Sequence, residues 1–203
     1  MPNSTSIMDA LDAETRRFLL ELARSAIEKE LTGSTSLTVS VEDAPPALHE
    51  DGASFVTLHK RSGALRGCIG SLVARRPLIA DVQANAKAAA FRDPRFSPLQ
   101  EEELDDIVIE VSILSAPAPL AYDSPEALIE KLRPHVDGVV LEHGWNRATF
   151  LPQVWEQLPE PGKFLAHLCY KAGLPPDAWR VQDVKLSTYQ VEKFSEEEFE
   201  HLP

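Results

Sequence analysis

The residue types best suited to chemistry lie together in the segment 65–70, with the sequence LRGCIG. This segment combines a thiol, a guanidinium group and two glycines. A thiolate is a nucleophile, and a nearby cation lowers the pKa of a thiol and so increases the thiolate fraction. Glycine inside a strand usually marks a bulge or a close approach of backbone. The segment therefore predicts a site at Cys68.

Two strand-like runs, 55–60 and 65–72, predict a β-hairpin whose turn is centred on Ser62 and Gly63. This register pairs Lys60 with Leu65, His59 with Arg66, and Thr57 with Cys68. Because side chains alternate along a strand, the hairpin has an apolar face and a polar face. The apolar face carries Val56, Leu58, Leu65 and Ile69, and the polar face carries Thr57, His59, Arg66 and Cys68.

Cys68 has two interpretations. It is either a nucleophilic or redox-active thiol, with His59 as its base, or a small inert side chain packed in a sheet. In the first interpretation Gly67 and Gly70 leave room for a substrate. A binding role at this position is favoured over a catalytic role.

Arg66 also has two interpretations. Its guanidinium group either binds an anionic ligand, such as a carboxylate or phosphate, or forms a salt bridge to Asp93 or Glu110. Asp93 and Arg95 flank Pro94 in a rigid turn, where they bind a ligand or hold the loop in place.

The run 107–114 is nearly continuously apolar and predicts a central strand. Glu110 and Ser112 share one face of it and can line the same site. A buried glutamate needs a partner, and Arg66 or Arg95 would serve.

Composition excludes several classes of function. The 203 residues carry 20 basic and 32 acidic side chains, a formal net charge of −12, which disfavours nucleic acid and anionic membranes as partners. No apolar run reaches the roughly 20 residues that span a bilayer, and the first ten residues do not have the pattern of a secretory signal. Only two cysteines are present, without zinc-site spacing, so the sequence predicts a cytoplasmic protein with no metal site and no cofactor.

Periodicity and breaker residues predict an α+β fold, with an antiparallel or mixed sheet built from hairpins and flanked by helices. The predicted helices are 12–31, 77–90, 125–133 and 161–172, with a helical turn at 152–158. The further predicted strands are 37–41, 138–142, 147–151 and 181–194.

A hairpin followed by a helix occurs twice, near 55–91 and near 139–172. This order suggests an internal duplication, although residue identity between the two stretches is negligible. We expect a single domain over 11–194 and a solvated acidic tail over 195–203.

Other conspicuous side chains have structural interpretations. His167 and Lys171 lie four residues apart and are expected on a solvated helical face. Cys169 falls on the apolar side of the same helix. The three tryptophans, at positions 145, 155 and 179, are expected to pack.

The LRGCIG segment and several accompanying motifs resemble the AMMECR family, known in bacteria as AmmeMemoRadiSam system protein A. The accompanying motifs are FVTL at 55–58, DPRF at 93–96, EVS at 110–112, FLPQVW at 150–155, FL at 164–165 and KAGL at 171–174. Together they cover about 11–194, and their order makes the resemblance specific.

The resemblance implies an α+β protein with a larger and a smaller subdomain. It also implies a genomic association with a Memo-like protein and a radical S-adenosylmethionine enzyme, and the chain is then expected to act with them in a modification system. In that setting the chain would bind a small molecule or a peptide in a cleft lined by Arg66 and Cys68. The alternatives are an enzyme that uses Cys68 as nucleophile, and a structural scaffold.

Overall fold

The computed structural model describes residues 7–33, 41–181 and 184–200. The chain has an α+β fold and divides into two compact units. Unit 1 comprises residues 1–115 and 192–203, and unit 2 comprises residues 116–191. Each unit contains one four-stranded sheet.

The helices are α1 (Ala13–Thr32), α2 (Leu78–Phe91), α3 (Pro125–Lys131), α4 (Pro161–Lys171), α5 (Ala178–Val181) and α6 (Glu197–Glu200). The strands are β1 (Ala53–Lys60), β2 (Leu65–Gly70), β3 (Ile107–Leu114), β4 (Ala118–Pro119), β5 (Gly138–His143), β6 (Asn146–Phe150), β7 (Lys185–Tyr189) and β8 (Val191–Ser195). Short 3₁₀ helices occur at Ile7–Ala10, Val41–Asp43, Pro46–His49, Glu101–Asp106 and Pro152–Glu156.

The first helix illustrates how local sequence sets element boundaries. The Asp12 carboxylate accepts a hydrogen bond of 2.8 Å from the Thr15 amide, so it caps the first turn of α1. Gly33 ends the helix at φ +65°, a left-handed conformation that glycine adopts without steric cost. The predicted helix over 12–31 is confirmed.

In unit 1, the strands have the order β2-β1-β3-β8, so β3 is an inner strand as predicted. Helices α1 and α2 cover one face of this sheet. Their apolar stripes pack against the alternate residues of β1 and β3 whose side chains point toward the helices. The centre of this core includes Leu19, Leu22, Val56, Leu58, Val82, Ile109 and Phe194.

In unit 2, the strands have the order β4-β7-β5-β6. Its core is built around three aromatic rings. Trp155 stacks on Phe164 with ring centroids 3.7 Å apart, and Phe150 meets Phe164 edge-on at 5.3 Å. The Trp155 indole N–H donates to the Asp137 carbonyl at 2.7 Å, so the buried ring has no unpaired donor.

The two hairpin–helix stretches fall in different units and have the same strand arrangement. In each, the second hairpin strand (β2 or β6) lies at the sheet edge. The first (β1 or β5) lies inside it, and the strand that follows the helix (β3 or β7) pairs antiparallel with that inner strand. This common topology agrees with the proposed duplication.

The end of the chain differs from the sequence expectation. The run 181–194 was predicted as one strand, but it contains the end of α5 and two strands that serve different sheets. β7 pairs with β4 and β5, whereas β8 lies beside β3. Gln190 falls between the two strands. The break lets one segment complete both sheets.

The predicted acidic tail is also wrong at its start. Ser195 ends β8, and Glu196 is bound rather than solvated. The Glu196 carboxylate accepts hydrogen bonds from the Arg24 guanidinium at 2.5 and 2.6 Å and from the Ile109 amide at 2.7 Å. Positive charge and an available N–H hold this carboxylate against the sheet.

The predicted strand over 37–41 lies outside the described residues, except that Val41 begins a 3₁₀ turn.

Candidate functional site

The hairpin β1–β2 holds the predicted site residues, and its register departs from the prediction at one point. Thr57 pairs with Cys68 as predicted. Nearer the turn, a β-bulge places His59 opposite Leu65, so the predicted pairs His59 with Arg66 and Lys60 with Leu65 are wrong. The Lys60 amide instead donates to the Ala64 carbonyl at 2.7 Å, which leaves one extra residue in β2.

The bulge decides which side chains of β2 are buried. Leu65, predicted for the core, has 39% of its surface exposed, whereas Arg66 has only 5% exposed. Ile69 packs against the core as predicted, and Val56 and Leu58 are fully buried. An extra residue shifts the alternation of side chains, so the prediction fails only on the turn side of the bulge.

Arg66 forms an ion pair, but with neither of the expected partners. Its Nε and Nη2 donate to the two carboxylate oxygens of Glu103 at 2.7 and 2.8 Å. The guanidinium carbon lies 5.9 Å from the centroid of the Phe96 ring. The remaining nitrogen, Nη1, is buried and has no hydrogen-bond partner among the described residues.

The ion pair changes the proton affinity of both groups. The hydrogen bonds from Arg66 lower the pKa of Glu103 to about 2, against an opposing effect of burial. The same hydrogen bonds raise the pKa of Arg66. Both groups are therefore charged at neutral pH.

The remaining predicted polar residues lie on the sheet face opposite α1 and α2. We call Thr57, His59, Cys68, Glu110 and Ser112 the sheet-face patch. Thr57 pairs with Cys68 on one side and with Glu110 on the other, so these three side chains form a row across β2, β1 and β3. All five members are half-buried.

Specific contacts connect the members of this row. The Thr57 hydroxyl donates to the Cys68 sulfur at 3.3 Å. The Glu110 carboxylate pairs with Lys193 of β8 at 3.1 Å, not with Arg66 or Arg95 as the sequence suggested. The patch thus presents a hydroxyl, a thiol and an ion pair on one surface.

Asp93 and Arg95 hold the outer edge of β2. The Asp93 carboxylate accepts the Cys68 amide at 2.9 Å, and Arg95 Nη2 donates to the Cys68 carbonyl at 3.4 Å. Arg95 also binds Asp93 through Nε and Nη2 at 2.9 and 2.6 Å. The pair occupies the backbone groups that an edge strand otherwise leaves open, which fits the interpretation of this turn as a clamp.

The clamp also provides the cation near the thiol. Hydrogen bonds from Arg95 hold the pKa of Asp93 well below its usual range, with help from the Cys68 amide. The pKa of Arg95 is raised, chiefly by Asp93, and its electrostatic interaction with Cys68 acts in the same direction. From the sequence, Arg66 was the predicted cation near the thiol.

The space beside the two glycines is filled by protein, contrary to the prediction that it admits a substrate. A Cβ at Gly67 would lie 2.2 Å from the Ala89 carbonyl oxygen, so α2 packs directly on the strand there. A Cβ at Gly70 would lie 2.2 Å from the Phe55 ring. Both glycines permit close packing.

Sequence reasoning missed a buried polar network beside the hairpin. The Asp81 carboxylate accepts hydrogen bonds from the Ser54 amide and hydroxyl, the Ser71 hydroxyl, Arg76 Nε and Asn85 Nδ2, at 2.7 to 2.9 Å. It also missed Glu103, which the acidic run 101–106 conceals. A signal for the network exists, because Asp81 and Asn85 lie four residues apart on an otherwise apolar helix face.

In unit 2, the structure confirms the expected packing of Cys169 and of two tryptophans but not of the third. Cys169 is fully buried, and burial raises the pKa of its thiol. Trp155 and Trp179 are buried as expected, but Trp145, at the tip of the β5–β6 hairpin, is fully exposed. Its neighbour Gly144 has φ +58° and makes the tight turn that projects the indole outward.

His167 and Lys171 differ from one another. His167 is exposed, as expected for a solvated face. Lys171 Nζ donates to the Thr149 carbonyl at 3.0 Å and lies 5.0 Å from the Phe150 ring centroid, so it also fastens α4 to β6.

Within residues 7–33, 41–181 and 184–200, no group of three or more His, Cys, Asp or Glu side chains is arranged to hold a metal ion. In the same ranges, no helix is long and apolar enough to cross a membrane.

Comparison with known proteins gives consistent matches over most of the chain. The sequence profile of the AMMECR1 family matches residues 20–194. A protein of Methanothermobacter thermautotrophicus is 41% identical over 188 residues, covering 92% of this chain and 97% of that protein. A protein of Methanocaldococcus jannaschii is 39% identical over 193 residues, with 94% of each chain covered.

A solved structure agrees with these sequence matches. The crystal structure of an uncharacterized protein from Pyrococcus horikoshii superposes with a TM-score of 0.72 at 39% identity. The match covers 92% of this chain and 93% of that one. The similarity thus extends through both units, and the chain belongs to the AMMECR1 family.

Proposed function

We propose that this protein is a binding component of a cytoplasmic modification system, in which it acts with a Memo-like protein and a radical S-adenosylmethionine enzyme. It binds a small molecule or a peptide segment of that system on the sheet-face patch. The observation that carries the proposal is the row of Cys68, Thr57 and Glu110 across three strands.

Two features of the patch favour binding. Its polar side chains are half-buried, so their neighbours limit their mobility while they remain accessible to a ligand. They also stand on strands that α1 and α2 support from the other face, and rigid elements position such groups better than loops do. The partners themselves are inferred from family resemblance.

The test uses the purified protein with the purified Memo-like and radical enzymes of the same organism. We expect Thr57→Val and Glu110→Gln to weaken association about fivefold or more, because each removes a polar group of the patch. Glu130→Gln, at an exposed position of α3, is the matched control and should leave association unchanged.

A second measurement follows the patch directly. Iodoacetamide should label Cys68 more slowly when the bound partner covers it, while the buried Cys169 stays unlabelled throughout. Association that survives both patch variants, with undiminished labelling of Cys68 in the complex, would contradict the proposal.

An enzymatic function at Cys68 is the second candidate. It is favoured by the Thr57 hydroxyl at 3.3 Å from the sulfur and by the guanidinium of Arg95 beside the same residue. Such an enzyme needs a thiolate near neutral pH. The alkylation rate of Cys68 would then reach its plateau at a pH below about 8.5. A rate that still rises steeply above that pH argues against this candidate.

A further inference from the structure

Two arginines near Cys68 in the chain or in space contact one phenyl ring, that of Phe96. The guanidinium carbons of Arg66 and Arg95 lie 5.9 and 5.5 Å from the Phe96 ring centroid. Phe96 is half-buried and follows the clamp that grips the Cys68 backbone. Two cations therefore contact one aromatic ring, and one of them, Arg95, also contacts the Cys68 backbone.

Each arginine is already held in place by a carboxylate. Arg66 uses Nε and Nη2 on Glu103, and Arg95 uses the same two nitrogens on Asp93. These paired contacts fix the planes of both guanidinium groups. Little conformational entropy remains to be lost when a further acceptor binds.

Arg66 has one donor, Nη1, that none of the described residues uses. The residue is 95% buried, and its Nη1 finds no acceptor in the described parts of the chain. A buried donor without a partner is costly, and such groups are rare in native proteins. An acceptor supplied by a ligand would account for it.

Arg95 makes the same place accessible. Its side chain is 54% exposed, and it contacts the Cys68 carbonyl, so a dissolved anion can reach it next to that residue. A guanidinium group with free N–H groups matches a carboxylate in shape and charge.

We propose that the ligand of the sheet-face patch carries a carboxylate, which Arg66 and Arg95 bind against Phe96 beside Cys68. This inference rests on the proposed binding function and specifies the ligand class. Because Nη1 of Arg66 is out of contact with solvent, a side chain that covers it must move when the carboxylate engages that arginine.

The test compares two alkylating reagents that differ in charge. Iodoacetate carries a carboxylate, and iodoacetamide is its neutral counterpart. The ratio of their rates at Cys68 is compared with the ratio for N-acetylcysteine amide. Any change in thiolate fraction or exposure affects both reagents, so it cancels in the ratio. Peptide mapping by mass spectrometry assigns the product to Cys68.

We expect the iodoacetate-to-iodoacetamide ratio at Cys68 to exceed the reference about tenfold, equivalent to about 1.4 kcal/mol of preference. The net charge of −12 would by itself lower this ratio, so an increase points to a local site. Arg95→Met should bring the ratio down to the reference. Arg92→Met, an exposed arginine of the same segment, should leave it raised.

Arg66→Lys keeps the charge but removes the planar fork, and should lower the ratio in a folded protein. If that variant does not fold, Arg95→Met decides the question, because its side chain is mostly in solvent. A wild-type ratio equal to the reference overturns the proposal. So does an equal loss in Arg92→Met, which would indicate charge alone.

The outcome is distinguishable from failure of the binding function. If Thr57→Val abolishes partner association but the reagent ratio matches the reference, only the carboxylate assignment falls. If the ratio is raised but Thr57→Val and Glu110→Gln leave partner association unchanged, the binding function with these partners is contradicted.

Discussion

Arg66 shows how far a residue type determines a role. Its place two residues before Cys68 indicated a cation at a site, and the structure does hold a charged, buried guanidinium group there. Its partner is Glu103 rather than Asp93 or Glu110, because the bulge turns it toward the acidic 3₁₀ turn that precedes β3. The cation that contacts Cys68 is Arg95, through the backbone carbonyl of that residue.

The Arg66–Glu103 pair predicts a specific dependence of stability on pH. The pKa of Glu103 is about 2 in the folded protein, below its ordinary value of 4.5. Its contribution is therefore fully present above about pH 4.5 and is lost as the pH falls toward 2. The Glu103 side chain is 30% exposed, so solvent screens the ion pair. We therefore expect the pair to contribute about 2 kcal/mol to the free energy of unfolding.

We expect Glu103→Gln to be less stable than the wild type by that amount at pH 7, with the difference shrinking below about pH 4.5. Urea unfolding across this range measures it. Glu102→Gln, at the exposed neighbouring position, should track the wild type. A deficit for Glu103→Gln that stays constant down to pH 2 would contradict the assignment.

At the scale of elements, the hairpin β1–β2 is held from two sides. Helix α2 packs on its apolar face at Gly67, and the Asp93–Arg95 clamp occupies its outer edge at Cys68. An edge strand held in this way cannot pair with a further strand at that point. The LRGCIG segment is therefore a packed structural element as well as a site.

Gly67→Ala should separate β2 from α2. A Cβ at this position would lie 2.2 Å from a backbone oxygen, which cannot rotate away as a side chain can. We expect a loss of about 2–3 kcal/mol in the free energy of unfolding, as is usual for overpacking.

Gly162→Ala in the first turn of α4 is the matched control. Its nearest neighbours would be 3.9 Å from the new Cβ, and alanine favours helix, so stability should be equal or slightly higher. Equal unfolding midpoints for the two alanine variants would show that α2 does not pack on Gly67.

At the scale of the whole molecule, two units share one arrangement of hairpin, helix and strand. Each has its own core cluster. All three tryptophans belong to unit 2, and the half-buried Cys68 belongs to unit 1. Intrinsic fluorescence and the labelling of Cys68, distinguished from Cys169 by peptide mapping, thus report on different units.

Matched core substitutions use this separation. Leu58 and Leu141 are both fully buried, in units 1 and 2 respectively. Replacing either by alanine leaves a cavity, and we expect a loss of about 2–5 kcal/mol. Leu58→Ala should lower the urea midpoint for exposure of Cys68, and Leu141→Ala the midpoint for tryptophan fluorescence. An unchanged midpoint for the probe in the substituted unit would contradict the core assignment.

The sequence by itself determined what local rules control. Caps and breakers placed α1, α3 and α4, continuous hydrophobicity identified β3 as an inner strand, and alternation set Thr57 opposite Cys68. These features depend on neighbours close in the chain, or on a period that one hairpin preserves.

Tertiary structure decided the rest. One extra residue at the bulge reversed the burial of Leu65 and Arg66, which no alternating pattern predicts. The partners Glu103 and Lys193 come from segments distant in sequence, and the space beside Gly67 is filled by a helix that only folding brings there. Ion-pair partners and free space depend on such distant segments, so the chemistry at Cys68 follows from packing as much as from LRGCIG.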